Sequence, residues 1–202
     1  MVTQICDFLT NRIRKEMPEI NDERAEAIHY GLENIIGEMP KLFLLFFIAY
    51  ILDIFELTIV SFASILFYRA FSGGFHAKTH IGCIICTTLL YIGNVILSKM
   101  FLFDQEWIKY IIISIVWLFS MIMIRKYAPA DTENVPILRK KDRKQKRILS
   151  YVTMTLTLLI AFLIKDRVIS NIIWMGILLQ TFCITRLAYK ITNNKYGHEV
   201  YK

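Results

Sequence analysis

Apolar residues fall along this chain in two textures. Up to residue 39 they recur at helical spacing among charges, and beyond it they gather into long runs. Near the N-terminus Ile5, Phe8, Leu9, Ile13 and Met17 share one helical face while Asp7, Arg14 and Lys15 lie elsewhere. That pattern suits an amphipathic helix lying on a membrane surface or packed on the rest of the protein. A second periodic stretch follows Asn21, a suitable N-cap, and places Ile28, Leu32, Ile35, Ile36 and Met39 on one side. Pro40 is expected to break or kink it, because proline removes a helical donor.

Six apolar runs come next: Leu42 to Leu52, Leu57 to Phe71, Ile81 to Leu97, Ile108 to Ile124, Ile148 to Ile164 and Val168 to Tyr189. The first two fall short of the ~20 residues of a perpendicular span, so they borrow flanking residues or form a shallow hairpin. Six spans are expected, with four as the reserve count. The chain therefore reads as an all-α integral membrane protein of about six transmembrane helices, preceded by an amphipathic N-terminal helical region. It is expected to form one membrane-embedded domain over residues 1–202, with amphipathic helices in 1–39, a transmembrane bundle in 40–190 and a cytoplasmic tail in 191–202.

Composition agrees. With 202 residues, 55% hydrophobic content and a mean hydropathy of +0.46, an ordinary water-soluble domain is excluded. The opening 16 residues lack the unbroken apolar stretch of a secretory signal, so no cleaved signal peptide is expected. A net charge of +7 invites thought of nucleic acid, but no recognition motif is present and the cations adjoin apolar runs. Their expected partner is an anionic lipid bilayer. Arg69 to His80, Arg125 to Arg147, the N-terminal region and the tail hold most of the Lys and Arg. Asp53 to Glu56, Lys99 to Lys109 and Lys165 to Arg167 carry few cations beyond matching carboxylates. By the positive-inside rule both termini and the 69–80 connection face the cytoplasm of a multi-pass cell-membrane protein.

That connection concentrates chemistry. It holds Arg69, Gly73, Gly74, His76, Lys78 and His80, with Cys83 just beyond. A working cysteine needs its thiolate favoured by an imidazolium, a helix N-terminus or nearby cations, and His76, a helix start and Arg69 or Lys78 are at hand. Were residues 76 to 83 one continuous helix, the two side chains would stand about 10 Å apart in rise. A Cys-His pair therefore requires a fold-back, which Gly73, Gly74 and Gly82 would permit. Equally, glycine pairs mark ordinary turns and a cysteine in an apolar span is often an inert packing residue. His76, His80, Cys83 and Cys86 also have tolerable zinc-ligand spacing, although Cys86 would sit one turn inside an apolar helix, a poor place for a metal and its surroundings. The four cysteines, Cys6, Cys83, Cys86 and Cys183, lie in or beside apolar segments and do not suggest a disulfide framework.

Further along, Tyr127-Ala128-Pro129-Ala130-Asp131-Thr132-Glu133-Asn134-Val135-Pro136-Ile137 is a proline-bracketed loop followed by the basic run from Arg139 to Arg147. The cations are explained by topology, or by docking of an acidic peptide on Arg139, Lys140, Lys141 and Arg143.

The segment Arg69-Ala70-Phe71-Ser72-Gly73-Gly74-Phe75-His76-Ala77, then Cys83, with Lys126-Tyr127-Ala128-Pro129-Ala130-Asp131 and Pro136-Ile137, resembles the accessory gene regulator B (AgrB) peptidases. The resemblance covers essentially the whole chain in length and hydropathy. It implies a membrane cysteine endopeptidase of quorum sensing, with His76 and Cys83 as the catalytic pair and Arg69 and Gly74 in the same motif. It further implies that an AgrD-like propeptide loses its C-terminal tail, forming a peptidyl thioester that closes to a cyclic thiolactone or lactone. No cofactor and no metal are implied, and His80 and Cys86 stand outside the catalytic set. Oxyanion support is expected from backbone N–H groups near Cys83, with Arg69 or Lys78 contributing charge, and Thr79 or a carbonyl could orient the imidazole. The competing readings are a non-enzymatic peptide exporter or scaffold, and a zinc-dependent intramembrane hydrolase. The later spans leave room for a homodimer, with no small-xxx-small motif to specify one.

Overall fold

The computed structural model describes residues 2–17, 19–77, 79–102, 105–133, 136–137 and 139–200. Among them every regular element is helical, and the chain divides into two compact units, residues 1–48 and 49–202.

In the first unit, α1 (Val2–Glu16) leads into α2 (Asp22–Ile51). Asn21 caps α2 as its sequence position suggests, its side-chain oxygen accepting from the Arg24 N–H at 2.9 Å. The Arg14–Asp22 ion pair (2.6 Å) and the His29–Asp7 hydrogen bond (2.8 Å) link the two helices, and an exposed ion pair of this kind contributes about 0–1 kcal/mol. No break occurs at Pro40. The helix runs through it to Ile51, forgoing the one bond proline cannot donate. The apolar run after it keeps the rest of its backbone hydrogen-bonded internally, as a lipid environment requires. The run from Leu42 to Leu52 is thus the end of a long helix rather than an element of its own.

The second unit continues with α3 (Phe55–Ser72), α4 (His80–Met100), α5 (Glu106–Tyr127), α6 (Lys140–Leu163), α7 (Arg167–Cys183), α8 (Arg186–Ile191) and α9 (Gly197–Val200). Four helices, α3 to α6, are long and apolar enough to cross a membrane. Outward-facing Phe67, Ile85, Leu89, Ile115, Leu118 and Leu159 are exposed on them, as lipid-facing positions should be. The sixth apolar run is divided. α7 ends at Cys183, a turn follows, and the Thr185 hydroxyl accepts from Ala188 N–H to start α8. At 17 residues, α7 is shorter than the bilayer core requires, and it packs against α3, α4, α5 and α6 with most of its side chains buried.

Polar side chains bind α7 to its neighbours. Asn94 on α4 donates to Ser61 Oγ on α3 and to the Ile172 carbonyl on α7, both at 2.9 Å. Asn171 donates to the Phe101 carbonyl at 2.7 Å and accepts from the Trp174 indole. Gly176 lies where a Cβ would stand 3.0 Å from Ile65 Cγ1, so α3 and α7 approach closely there.

The turns alternate between the two ends of the bundle. Residues 72–75 and 128–131 meet at one end, where α7 also finishes. The opposite end brings Gln105 and Glu106 beside Lys165 and Arg167.

Candidate active site

α3 ends because Gly73 takes φ 72°, ψ −149°, a region that is essentially glycine-only. Gly74 follows at φ 141°. From Gly74 to Ala77 the chain has no helical structure, and it re-enters a helix at His80 under a Thr79 cap, whose hydroxyl accepts from Gly82 N–H at 3.0 Å. Cys83 sits in the first turn of α4, its N–H bonded to the Thr79 carbonyl at 2.9 Å. His76 and Cys83 are therefore not on one helix, which is the condition the spacing set for a pair. Gly82 serves α4 rather than the turn, since a Cβ there would fall 2.8 Å from Thr79 Oγ1. The Thr79 oxygen is taken up by the cap. Lys78 lies outside the described residues, as does the His80 side chain.

The glycine segment is held from three directions. The Ala128–Ala130 strap runs beside it: Ala130 N–H donates to the Ser72 carbonyl at 2.8 Å, and Gly74 N–H donates to the Ala130 carbonyl at 2.9 Å. From α3, Arg69 Nη2 donates to the Phe75 carbonyl at 3.1 Å. From the C-terminal region, Asn194 Nδ2 donates to the His76 carbonyl at 2.9 Å. The two motifs that stand far apart in the sequence are thus one structural unit.

Asp131 anchors that unit. Its carboxylate accepts from the Ile137 N–H at 3.0 Å, from Arg143, and from His198 Nδ1 at 3.2 Å. Tyr189 donates its hydroxyl to the carbonyls of Ala130 (2.9 Å) and Asp131 (3.1 Å), and stacks on Tyr196 with centroids 4.0 Å apart. The C-terminal residues expected to form a tail are consequently built into the site through Tyr196, Gly197 and His198. Burial drives both phenols upward, so Tyr189 stays a donor through the alkaline range.

Burial by itself would raise the Asp131 carboxyl. The hydrogen bonds from Arg143, Ile137 N–H and His198 outweigh it and hold the group below the usual carboxylate range. A carboxylate depressed on folding contributes stability that is present above its unfolded value, about 3.9, and is lost as pH falls through the folded one. Thermal stability in detergent is therefore expected to fall below about pH 4 in the wild type and to lose that component in Asp131→Asn. An unchanged acid profile in the variant would contradict this role.

Arg143 is engaged by Asp131 and by the Ile137 carbonyl at 3.2 Å, so of the four basic residues expected to dock substrate it has an internal task. Arg139, Lys140 and Lys141 are exposed. Arg147 is also committed, donating to the Ala128 carbonyl at 2.7 Å.

A cavity of about 350 Å³ opens at this end, walled by Arg69, Gly73, Gly74, His76, Asp131 and Lys146 among others. A second, of about 300 Å³, is mostly apolar and includes Arg69, Phe75, Cys86, Leu179 and Cys183. His76 thus lines the first cavity and Cys86 the second, while half-buried Cys83 lines neither. Among the described residues no three His, Cys, Asp or Glu side chains gather in a way that would hold a metal, and none of the four cysteines forms a disulfide. Sequence reasoning missed Gln180 and Asn194. A polar amide inside an apolar helix was the available signal for Gln180.

The sequence profile of accessory gene regulator B matches residues 6–184. The chain belongs to the accessory gene regulator B family. Relatives include an AgrB-like protein of Clostridium acetobutylicum, 29% identical over 82% of this chain and 77% of that one. An AgrB-like protein of Listeria monocytogenes is 26% identical over 94% and 91%. The accessory gene regulator protein B of Staphylococcus aureus is 28% identical over 80% and 83%. No solved structure matches the chain. Family membership places the protein in accessory gene regulation, the quorum-sensing context, and its apolar helices make it a membrane protein.

Proposed function

We propose that the protein is a membrane cysteine endopeptidase that removes the C-terminal tail of an AgrD-type propeptide and passes the remaining peptide through a thioester on Cys83. The observation that carries this reading is the immobilised glycine segment. It presents His76 at the 350 Å³ cavity and delivers the chain, after a short non-helical stretch, to Cys83 in the first turn of α4. A helix N-terminus favours negative charge, which suits a thiolate and the oxyanion formed by its attack.

His76 accepts the Cys83 proton, and the thiolate attacks the carbonyl joining the signal segment to the tail. The Cys83 and Gly82 N–H groups are bonded to Thr79, so stabilising the oxyanion falls to the His80 and Ile81 N–H groups at the start of α4. The C–N bond then breaks as the imidazolium protonates the departing amine. The peptidyl thioester remains on Cys83 until the propeptide's own cysteine, giving its thiol proton to His76, attacks it, forming the ring thioester and expelling the Cys83 thiolate. Where a serine replaces that cysteine, the product is a lactone. Exchange between thiols is nearly energy-neutral whereas hydrolysis is irreversible, so exclusion of water matters. Both termini and the site face the cytoplasm in this reading, in keeping with the cation-rich end of the bundle, and the 81–100 and 106–127 helices cross fully.

Exposed Arg139, Lys140 and Lys141 stand at the start of α6 and suit an acidic tail. Tail release in membrane vesicles is expected to be stopped by iodoacetamide, to resist chelators, and to survive Cys86→Ala. The Lys140→Glu, Lys141→Glu double variant should need more propeptide for half-maximal rate. Loss of activity with a chelator, or equally in Cys86→Ala, would replace this mechanism with a zinc hydrolase. Unchanged propeptide demand in the double variant would remove the docking role.

A further inference from the structure

We propose that Gln180 is a positioning residue, which fixes the path of the Gly74–His76 backbone by holding the carbonyls on both sides of Gly74. This rests on the peptidase reading of His76 and Cys83. Gln180 is fully buried near the end of α7, where an amide left without partners would cost about 1–3 kcal/mol. Both ends of that amide are in use. Its Oε1 accepts from Arg69 Nη1 at 2.9 Å, and its Nε2 donates to the Gly73 carbonyl at 2.8 Å and to Ser72 Oγ at 3.1 Å. Arg69 passes the restraint on, because its Nη2 donates to the Phe75 carbonyl.

One side chain on α7 thereby holds the Gly73 carbonyl directly and the Phe75 carbonyl through Arg69. Between them lies Gly74, at a φ of 141°, a conformation that L side chains rarely adopt. The end of α7 adds a third hold, the Cys183 carbonyl accepting from Phe75 N–H at 3.3 Å. The residue following these contacts is His76. The pattern requires an acceptor and a donor on one short planar group. Glutamate supplies the acceptor alone, and methionine, of similar length, supplies neither. In this account Arg69 shapes the segment with a guanidinium bonded to Gln180 and Phe75, and its charge stands behind the histidine as part of the frame.

The test uses the full chain in lipid vesicles with its propeptide, comparing wild type, Gln180→Glu and Gln180→Met. Single-turnover tail release is normalised to the amount of Cys83 that iodoacetamide can label, and hydrogen exchange is followed over residues 73–77. Displacement of the histidine by about 1 Å is enough to cost ~100-fold. The rate per labelled site is expected to drop about 100-fold in Gln180→Met and about 10-fold in Gln180→Glu, with half-saturating propeptide unchanged. Exchange at Gly74 and Phe75 should accelerate in both. A merely structural role would reduce the amount of labelled protein and leave the rate per site intact, and that result would overturn the proposal. So would unaltered exchange over 73–77. Should wild type itself release no tail, the peptidase reading fails, and the exchange comparison still decides whether Gln180 holds the segment. Should Gln180→Met fail to accumulate, Gln180→Glu carries both measurements.

Discussion

Alanine in place of Gly73 is expected to destabilise the protein by about 3–5 kcal/mol, from backbone strain of 1–3 kcal/mol and two hydrogen bonds of about 1 kcal/mol each. The backbone there, at φ 72° and ψ −149°, is one that L-residues avoid. A Cβ would also fall 2.3 Å from the Ala130 carbonyl oxygen. That oxygen belongs to backbone held by Tyr189 and by Gly74 N–H, so it has little freedom to retreat. The strap would separate from the glycine segment, breaking the bonds Gly74 N–H to Ala130 and Ala130 N–H to Ser72. Thermal melting in detergent measures the loss. Gly31→Ala is the control, since nothing lies within 4 Å of its Cβ position and alanine is the better helix former by about 1 kcal/mol. Equal melting of Gly73→Ala and wild type would mean that the strap does not hold the segment as described.

The second large effect is chemical. Cys83→Ala is expected to reduce tail release by roughly 10⁴-fold or more, the scale seen when a covalent nucleophile is removed. His76→Gln should cost about 10²–10⁴-fold, the usual worth of a positioned general base. Neither should lower the melting temperature appreciably, because His76 is exposed and Cys83 only half-buried. Liquid chromatography with mass detection of the released tail gives both rates. Retention of activity in Cys83→Ala would return the protein to the scaffold or exporter readings, in which this thiol is packing.

The parts of the fold legible in the sequence were those written in local pattern. Long apolar runs marked α3 to α6, and Asn21 marked the start of α2, because burial and capping act on neighbours in the chain. Pro40 misled, since a lone proline costs a long apolar helix one hydrogen bond and lipid offers the backbone no better alternative. The last run misled for the opposite reason. Its apolar residues continue past Cys183, but the break at Ile184 and Thr185 is made by a hydroxyl cap and by the Tyr196 hydroxyl donating to the Ile184 carbonyl at 2.9 Å.

The candidate site was legible as residue types and not as an arrangement. His76 and Cys83 stood out beside the glycine pair, and the resemblance to the family rested on two separated segments. That those segments touch depends on backbone bonds between Ser72, Gly74 and Ala130, and backbone groups leave no mark in composition. Arg143 looked like any other member of a basic run until Asp131 was found opposite it. His198 and Tyr196, near the end of the chain, carried no signal that they would close on the same loop.

The most direct measurement is the intact mass of the wild-type protein after brief incubation in vesicles with its propeptide and acid quench, followed by peptide mapping of residues 81–100. The account predicts a mass increase equal to the mass of the propeptide minus that of the tail released with a free amine, located on Cys83 and released by hydroxylamine. An unmodified Cys83 throughout tail release, or an adduct mapped to Cys86, would contradict it.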